Sequence, residues 1–508
     1  MNILLVRQTA EYSYNALGVG IGIVGTLLGN AGHHIKIIDN NTLYKRYAIN
    51  EFIKLIGKTK PDIIGFGIVT ANAFLTYETI RNIKIKFPNI LIVAGGLHMR
   101  YSSQEALEHG VDIVVNREGE LVVVPLFDYL ATASRNSFKS GLANIKGISF
   151  RRDDGTFHQP DEVPMTANLD DVPLINFNLF NIGDYSKTGK EPGFIYIIGQ
   201  RGCPFQCTFC SDESQRADRR IASDEWLFRN VEHIYHTFGF THIVFCDNNF
   251  TYPKRRAIDF CNRIIHSDLA GRIEFSCQTK VETPLDDELL SLMKRAGFVK
   301  IRLGLERLEP FSQNMIKKIS PIEKVNRTLE KLKKHEFSIG VFMLIGFPFD
   351  TVELLRKEYA AFQEVSRYAD QVICSILQPA PGTIYYDDYP KAKEWYLNPA
   401  HVLLWRSYFH NVFDTYMYAQ IDMNFFDLDE STTDELKRIY LSVKEDNQGI
   451  YSFTVERSRL YRIAIGIDKG VANLSRLLFK ISPEIEFKLF IKVNYLRMYF
   501  GTLLFSKK

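Results

Sequence analysis

Residues 199–210 read Gly199-Gln200-Arg201-Gly202-Cys203-Pro204-Phe205-Gln206-Cys207-Thr208-Phe209-Cys210, and three of the chain's seven cysteines fall inside this one stretch. Thiolates spaced C-x3-C-x2-C can converge on an iron-sulfur cluster, but they ligate only three of the four irons of a cubane. The fourth iron is left open to a small molecule, so the same loop can carry electrons and hold a cosubstrate. Two plainer readings compete with this one. Cysteine is often just a small buried apolar residue. Structural zinc wants four closed ligands, and no C-x2-C or H-x3-H partner pair follows at a suitable distance. Cys246, Cys261, Cys277 and Cys374 lie singly in apolar stretches and read as core.

The loop follows the first of six apolar runs, near 194–198, 241–246, 273–277, 299–305, 340–345 and 371–377, with helical patterns such as 223–236, 285–296 and 321–335 between them. This α/β alternation over 191–387 predicts a partial (β/α)6 TIM-like barrel, whose chemistry sits on loops at the carboxyl ends of its strands. Residues 1–135 show a separate alternation, with apolar runs at 3–6, 35–38, 63–66, 90–94 and 111–115. Continuous apolar strands joined by helices predict a doubly wound, Rossmann-like parallel sheet that binds ligands at its strand ends. Gly18, Gly20 and Gly22 follow the first run, Thr70 and Ala71 the third, and Gly95-Gly96-Leu97-His98 the fourth. Glycine there lets a flat ligand approach the backbone. The Gly18–Gly22 run is a poor dinucleotide fingerprint, because its third glycine is misplaced. Residues 136–190 read as a linker with a β-hairpin turning at Asp154-Gly155, then broken by Pro160, Pro164 and Pro173.

At 508 residues the chain is long enough for about three units. An apolar content of 46% with 24% charged residues is ordinary for a soluble globular protein, and a net charge of +3 gives no reason to expect a nucleic-acid partner. Unpaired cysteines and the lack of a basic-then-apolar leader predict a reducing, cytoplasmic setting. No run of 18 apolar residues predicts a spanning helix. Residues 388–508 are aromatic and helical in pattern, with Trp395, Trp405, Tyr408, Phe409, Tyr416 and Tyr418 clustered, and suit a substrate or cap region. The tail at 474–505 mixes aromatics with Arg476, Lys480, Lys488, Lys492 and Arg497, a pattern of peripheral membrane contact or of a packed cap with snorkelling lysines.

The cysteine loop resembles that of radical S-adenosylmethionine (SAM) enzymes, in which the open iron chelates SAM. The resemblance continues through Asp247-Asn248-Asn249-Phe250, Gly304-Leu305-Glu306, Gly346-Phe347-Pro348-Phe349-Asp350-Thr351 and Gln378-Pro379-Ala380-Pro381-Gly382-Thr383. It implies a 4Fe-4S cluster on Cys203, Cys207 and Cys210, and SAM contacts from Phe209, Asp247, Asn248, Asn249 and Glu306. An ammonium needs acceptors, which Asp247 and the two amides offer. Arg307 stands where the family has serine. The first 135 residues resemble the cobalamin-binding domain that precedes the barrel in one subfamily, through Leu17-Gly18, Gly32-His33-His34, Pro61 to Gly65, Gly95 to His98 and Val111 to Glu120. That resemblance implies a cobalamin bed from Gly18, Thr70, Gly95, Gly96, His98, Gly119 and Glu120. The cobalt-ligating D-x-H-x-x-G motif is absent, and Leu97 replaces a common proline. Methylthiotransferases are disfavoured, because their N-terminal domain needs three further cysteines and none precedes Cys203.

The resemblance implies hydrogen abstraction from an unactivated carbon of a small-molecule or peptide substrate by a 5′-deoxyadenosyl radical, then methyl transfer from methylcobalamin. An external donor such as flavodoxin or ferredoxin would supply electrons. Radical cyclisation, ring contraction or rearrangement is the alternative with the same cofactors. A non-catalytic electron-transfer or sensing module is the reading from another class.

Overall fold

The computed structural model describes residues 1–8, 17–40, 42, 47–134, 138–185, 195–211, 219–391, 396–397 and 424–446. They fall into two compact units, one of residues 1–196 with 233–240 and one of 197–232 with 241–508. The clustered aromatics Trp395, Trp405, Tyr408, Phe409, Tyr416 and Tyr418 and the tail at 474–505 lie outside the described residues.

The first unit is built on β1 (Asn2–Arg7), β2 (His34–Asp39), β3 (Ile63–Gly67), β4 (Leu91–Gly95), β5 (Ile113–Val115), β6 (Ile148–Arg151) and β7 (Phe157–His158), in the order β2-β1-β3-β4-β5-β6-β7. The first five pair in parallel, and Ile3 to Val6, Ile63 to Phe66 and Leu91 to Ala94 are buried without interruption, as a sheet covered on both faces requires. The order reverses beside β1, the switch point where such sheets take ligands. The hairpin turning at Asp154-Gly155 adds β6 and β7 antiparallel to β5, so that part of the linker segment extends the first sheet.

Between β1 and β2 a helix spans Val19–Asn30, directly after Gly18. Its glycines serve packing as much as ligand approach: a Cβ on Gly22 would lie 2.8 Å from Ile175 Cγ2, and the next turn's Thr26 Oγ1 accepts from Asn176 N–H at 2.9 Å. Gly20 faces open space.

The second unit carries β8 (Ile195–Ile197), whose first two residues precede the unit boundary, with β11 (His242–Phe245), β12 (Glu274–Thr279), β13 (Phe298–Glu306), β14 (Ser338–Ile345) and β15 (Gln371–Ile376), neighbouring one another in chain order. The pairings from β11 to β15 are parallel. Helices such as Lys254–Ile265 and Ile322–Lys334 present one apolar face to the sheet, and Phe245, Phe250, Phe260, Phe275 and Phe298 form a buried aromatic cluster. Each buried ring contributes roughly 1.5–3 kcal/mol. A short antiparallel ribbon, β9 (Gln200–Arg201) with β10 (Arg220–Ile221), brackets the cysteine loop.

Candidate functional site

In the second unit the cysteine loop leaves the carboxyl end of the first barrel strand, through β9. Cys203 and Cys207 are buried, Cys210 is half-buried, and none of the three is in a disulfide. Burial pushes the Cys207 thiol up; Lys280 and Lys318 pull it the other way, and neighbouring Cys210 and Cys203 add to the rise. Cys203 and Cys210 lie close enough to act on the Cys207 thiol, and among the described residues no group of three His, Cys, Asp or Glu is placed to hold a metal ion. The donor set itself, three soft thiols on one short loop beside two ammonium groups, suits an iron-sulfur cluster and lacks the fourth ligand that closed zinc needs.

The loop is held on two sides. Thr208 N–H donates to Ile316 carbonyl at 3.1 Å, and the Thr208 and Tyr385 hydroxyls are 3.0 Å apart. Phe209 meets Phe347 edge-on at 6.3 Å, and Phe347 in turn packs edge-on against Tyr385 at 5.5 Å.

After β11, Asp247 is wholly buried and both carboxylate oxygens are engaged: Gly199 N–H donates to one at 2.7 Å and Arg256 Nη2 to the other at 2.6 Å. Arg256 Nη1 also donates to Gly199 carbonyl at 3.0 Å, so the pair ties the residues ahead of the cysteine loop to helix Lys254–Ile265. Asn249 is likewise turned inward, donating to Thr283 Oγ1 and accepting from Thr279 Oγ1, each at 2.8 Å. Asn248 alone of this triplet is exposed.

Glu306 ends β13 in left-handed backbone, φ 64°, where a register shift against β14 falls between Gly304 and Glu306. Its Oε1 accepts from Lys318 Nζ at 3.2 Å. A Cβ on Gly304 would lie 2.7 Å from that ammonium and 2.9 Å from that carboxylate oxygen, so a larger residue there would displace the ends of the pair.

Arg307, the departure from the family's serine, is fully buried. Its Nη2 donates to both oxygens of Asp350 at 2.6 Å, its guanidinium lies 4.8 Å over Phe347, and Glu358 is 3.9 Å from Nη1. Burial, opposed by Arg307, leaves the Glu358 carboxyl above its ordinary range. Asp350 also accepts from Gly346 and Phe347 N–H, so this buried network supports the phenylalanine that Phe209 touches. Sequence reading missed it, because only the odd residue after Glu306 signalled anything.

In the first unit, Gly95 ends β4, and Gly18, Thr70, Gly96, Gly119 and Glu120 follow the carboxyl ends of β1, β3, β4 and β5, on one edge of the sheet. Gly96 needs its φ of 109°, since a Cβ there would run into the Ile68 backbone. A Cβ on Gly67 would meet nothing within 4 Å, and Leu97 stands 79% exposed, so this edge offers an open, partly apolar floor that suits a flat macrocycle. His98 is buried with both nitrogens occupied, Nδ1 3.1 Å from Thr70 Oγ1 and Nε2 3.0 Å from Glu105 Oε1, which also accepts from Tyr77. His98 therefore orders the β3 and β4 loops and has no nitrogen to spare for cobalt. At the ends of β1 and β2, Arg7 Nε donates to Asp39 at 2.8 Å and Tyr185 hydroxyl donates to the same carboxylate, an arrangement no local sequence signal foretold.

A parallel barrel sheet with a three-thiol loop at its strand ends, beside an acid and an amide, defines an enzyme of the radical SAM class. Residues 197–358 match the radical SAM superfamily and residues 6–126 match the B12-binding domain. The chain belongs to the cobalamin-dependent radical SAM enzymes of methyltransferase type, and its cofactors are a 4Fe-4S cluster, SAM and cobalamin. It is 29% identical over 397 residues to an uncharacterised methyltransferase of Pyrococcus horikoshii, covering 75% of this chain and 82% of that one. It is 26% identical over 338 residues to the anaerobic magnesium-protoporphyrin IX monomethyl ester cyclase of Rubrivivax gelatinosus, covering 65% of this chain and only 59% of the cyclase. The cobalamin-dependent SAM radical enzyme OxsB, solved with aqua-cobalamin and SAM, shares the fold at TM-score 0.62 and 16% identity, over 99% of this chain and 80% of that one.

Proposed function

We propose that the chain methylates an unactivated carbon of a small molecule by a radical route. When bound, the cluster and SAM supply a 5′-deoxyadenosyl radical that removes a hydrogen atom, and cobalamin supplies the methyl group. The observation that carries this reading is one chain with two strand-end sites, a three-cysteine loop on the barrel and an open glycine-edged floor on a sheet that matches the B12-binding domain.

Cys203, Cys207 and Cys210 hold the cluster, and the Asp247–Arg256 pair fixes the backbone that presents them. Asn248 is the exposed member of its triplet and accepts from the SAM ammonium, while Lys318 orients Glu306 toward the ribose. Phe209 and Phe347 keep water from the cluster side. Gly18, Thr70, Gly95, Gly96, Gly119 and Glu120 carry the cobalamin, with His98 behind Thr70. A cytoplasmic one-electron donor such as flavodoxin or ferredoxin serves the cluster. Residues 388–508 bind substrate, a peptide or an apolar molecule held at a membrane surface among the candidates.

The cyclase relatives favour a second reading, radical ring closure without methyl transfer. Anaerobic reconstitution with iron, sulfide and hydroxocobalamin, then turnover with SAM and a low-potential reductant on candidate substrates and product mass spectrometry, separates the two. A gain of one methylene supports methylation; loss of hydrogen with no added carbon replaces it with the cyclase reading.

A further inference from the structure

Lys280 directly follows β12, on the edge of the barrel sheet that carries the cysteine loop. The residue is only 8% exposed, and its ammonium sits 3.7 Å from the ring centroid of Phe205, between Cys203 and Cys207 in the loop. Among the described residues no carboxylate or other acceptor pairs with it. The other buried cations here are matched: Arg256 by Asp247, Arg307 by Asp350 and Lys318 by Glu306. Taking an ammonium out of water costs several kcal/mol, and an aromatic face returns about 2 kcal/mol, so Lys280 is short of a counter-charge. The loop acquires one when three thiolates enclose a 4Fe-4S core: the assembly is negative overall and becomes more so when one electron enters.

We infer that Lys280 sets the reduction potential of the cluster, its fixed positive charge favouring the reduced state. The inference rests on the cluster reading above. Lys280 already acts electrostatically on the Cys207 thiol; a fixed positive charge within such reach favours the more negative redox state, and net charge is a recognised control of cluster potentials. Lys318 contributes less, because Glu306 already takes up its charge. No side-chain proton transfer is involved; the electron comes from an external low-potential reductant.

The test is an EPR-monitored redox titration of the reconstituted full-length protein with dithionite, without SAM or substrate. K280M should shift the midpoint to a more negative value, lowering the reduced-to-oxidised ratio at fixed ambient potential about tenfold, which is about 59 mV for one electron. K280R should stay near the native value, which a packing role alone would not predict. Loss of cluster from both K280M and K280Q with full loading of K280R would also support the charge requirement. An unshifted midpoint in a fully loaded K280M overturns the inference. Wild-type protein that takes up no iron and sulfide overturns the cluster reading itself.

Discussion

Asp247 spends both carboxylate oxygens inside the protein, on Gly199 and Arg256, and this separates it from its neighbour Asn248. Asp247→Ala strands a buried guanidinium and should cost about 3–5 kcal/mol, read from the denaturant midpoint, with iron content falling as the loop loosens. Asn248→Ala should leave the midpoint and iron content alone and weaken SAM binding about tenfold or more, as expected for losing a hydrogen bond to a charged group, measured by equilibrium dialysis on reconstituted protein. The polar triplet was legible in the sequence, but the division of labour within it was not. It depends on Arg256, which looks like any basic residue on a helix, and on Thr279 and Thr283, brought near only by the neighbouring strand end. Arg307 was visible as a mismatch, but its partners Asp350 and Glu358 lie 43 and 51 residues on and signal nothing locally.

At the scale of elements, helix Val19–Asn30 gives a contrast between two glycines. Gly22→Ala presses on Ile175 and should destabilise by about 1–3 kcal/mol, whereas Gly20→Ala meets nothing and should stabilise by about 0.5–1 kcal/mol in thermal or denaturant unfolding. Read as a motif, the glycines suggested ligand approach; the difference comes from a segment 150 residues away that packs on the helix. The strands themselves were plain in the sequence, because buried parallel strands are unbroken apolar runs. Their register was not, since the irregularity at Gly304 and Glu306 has no pattern of its own.

Helix Glu430–Asp446 docks on helix Val352–Val365 partly through Glu435, whose carboxyl is held down at about 2 by Arg438, against a smaller opposing effect of burial and with help from Arg356. A depressed carboxyl adds stability above its ordinary range and loses it as pH falls from about 4.5 toward 2. Glu435→Gln should therefore lower stability at pH 7 by about 1 kcal/mol, allowing for screening at the exposed arginines, and flatten the acid limb of the stability curve.

At the scale of the whole molecule, two α/β units each present small and polar residues at the carboxyl ends of parallel strands, and each matches a family that binds a cofactor there. Cobalamin should survive desalting of the reconstituted protein and be shed when Gly96 is replaced by valine, followed by its visible absorption. A reduced cluster on the Cys203–Cys210 loop should cleave SAM by giving it one electron. Reconstituted, dithionite-reduced protein should convert SAM to 5′-deoxyadenosine, quantified by liquid chromatography, and Cys207→Ala should abolish that product together with the cluster. Full 5′-deoxyadenosine formation by Cys207→Ala, or none by a fully loaded wild type supplied with SAM and substrate, would contradict it.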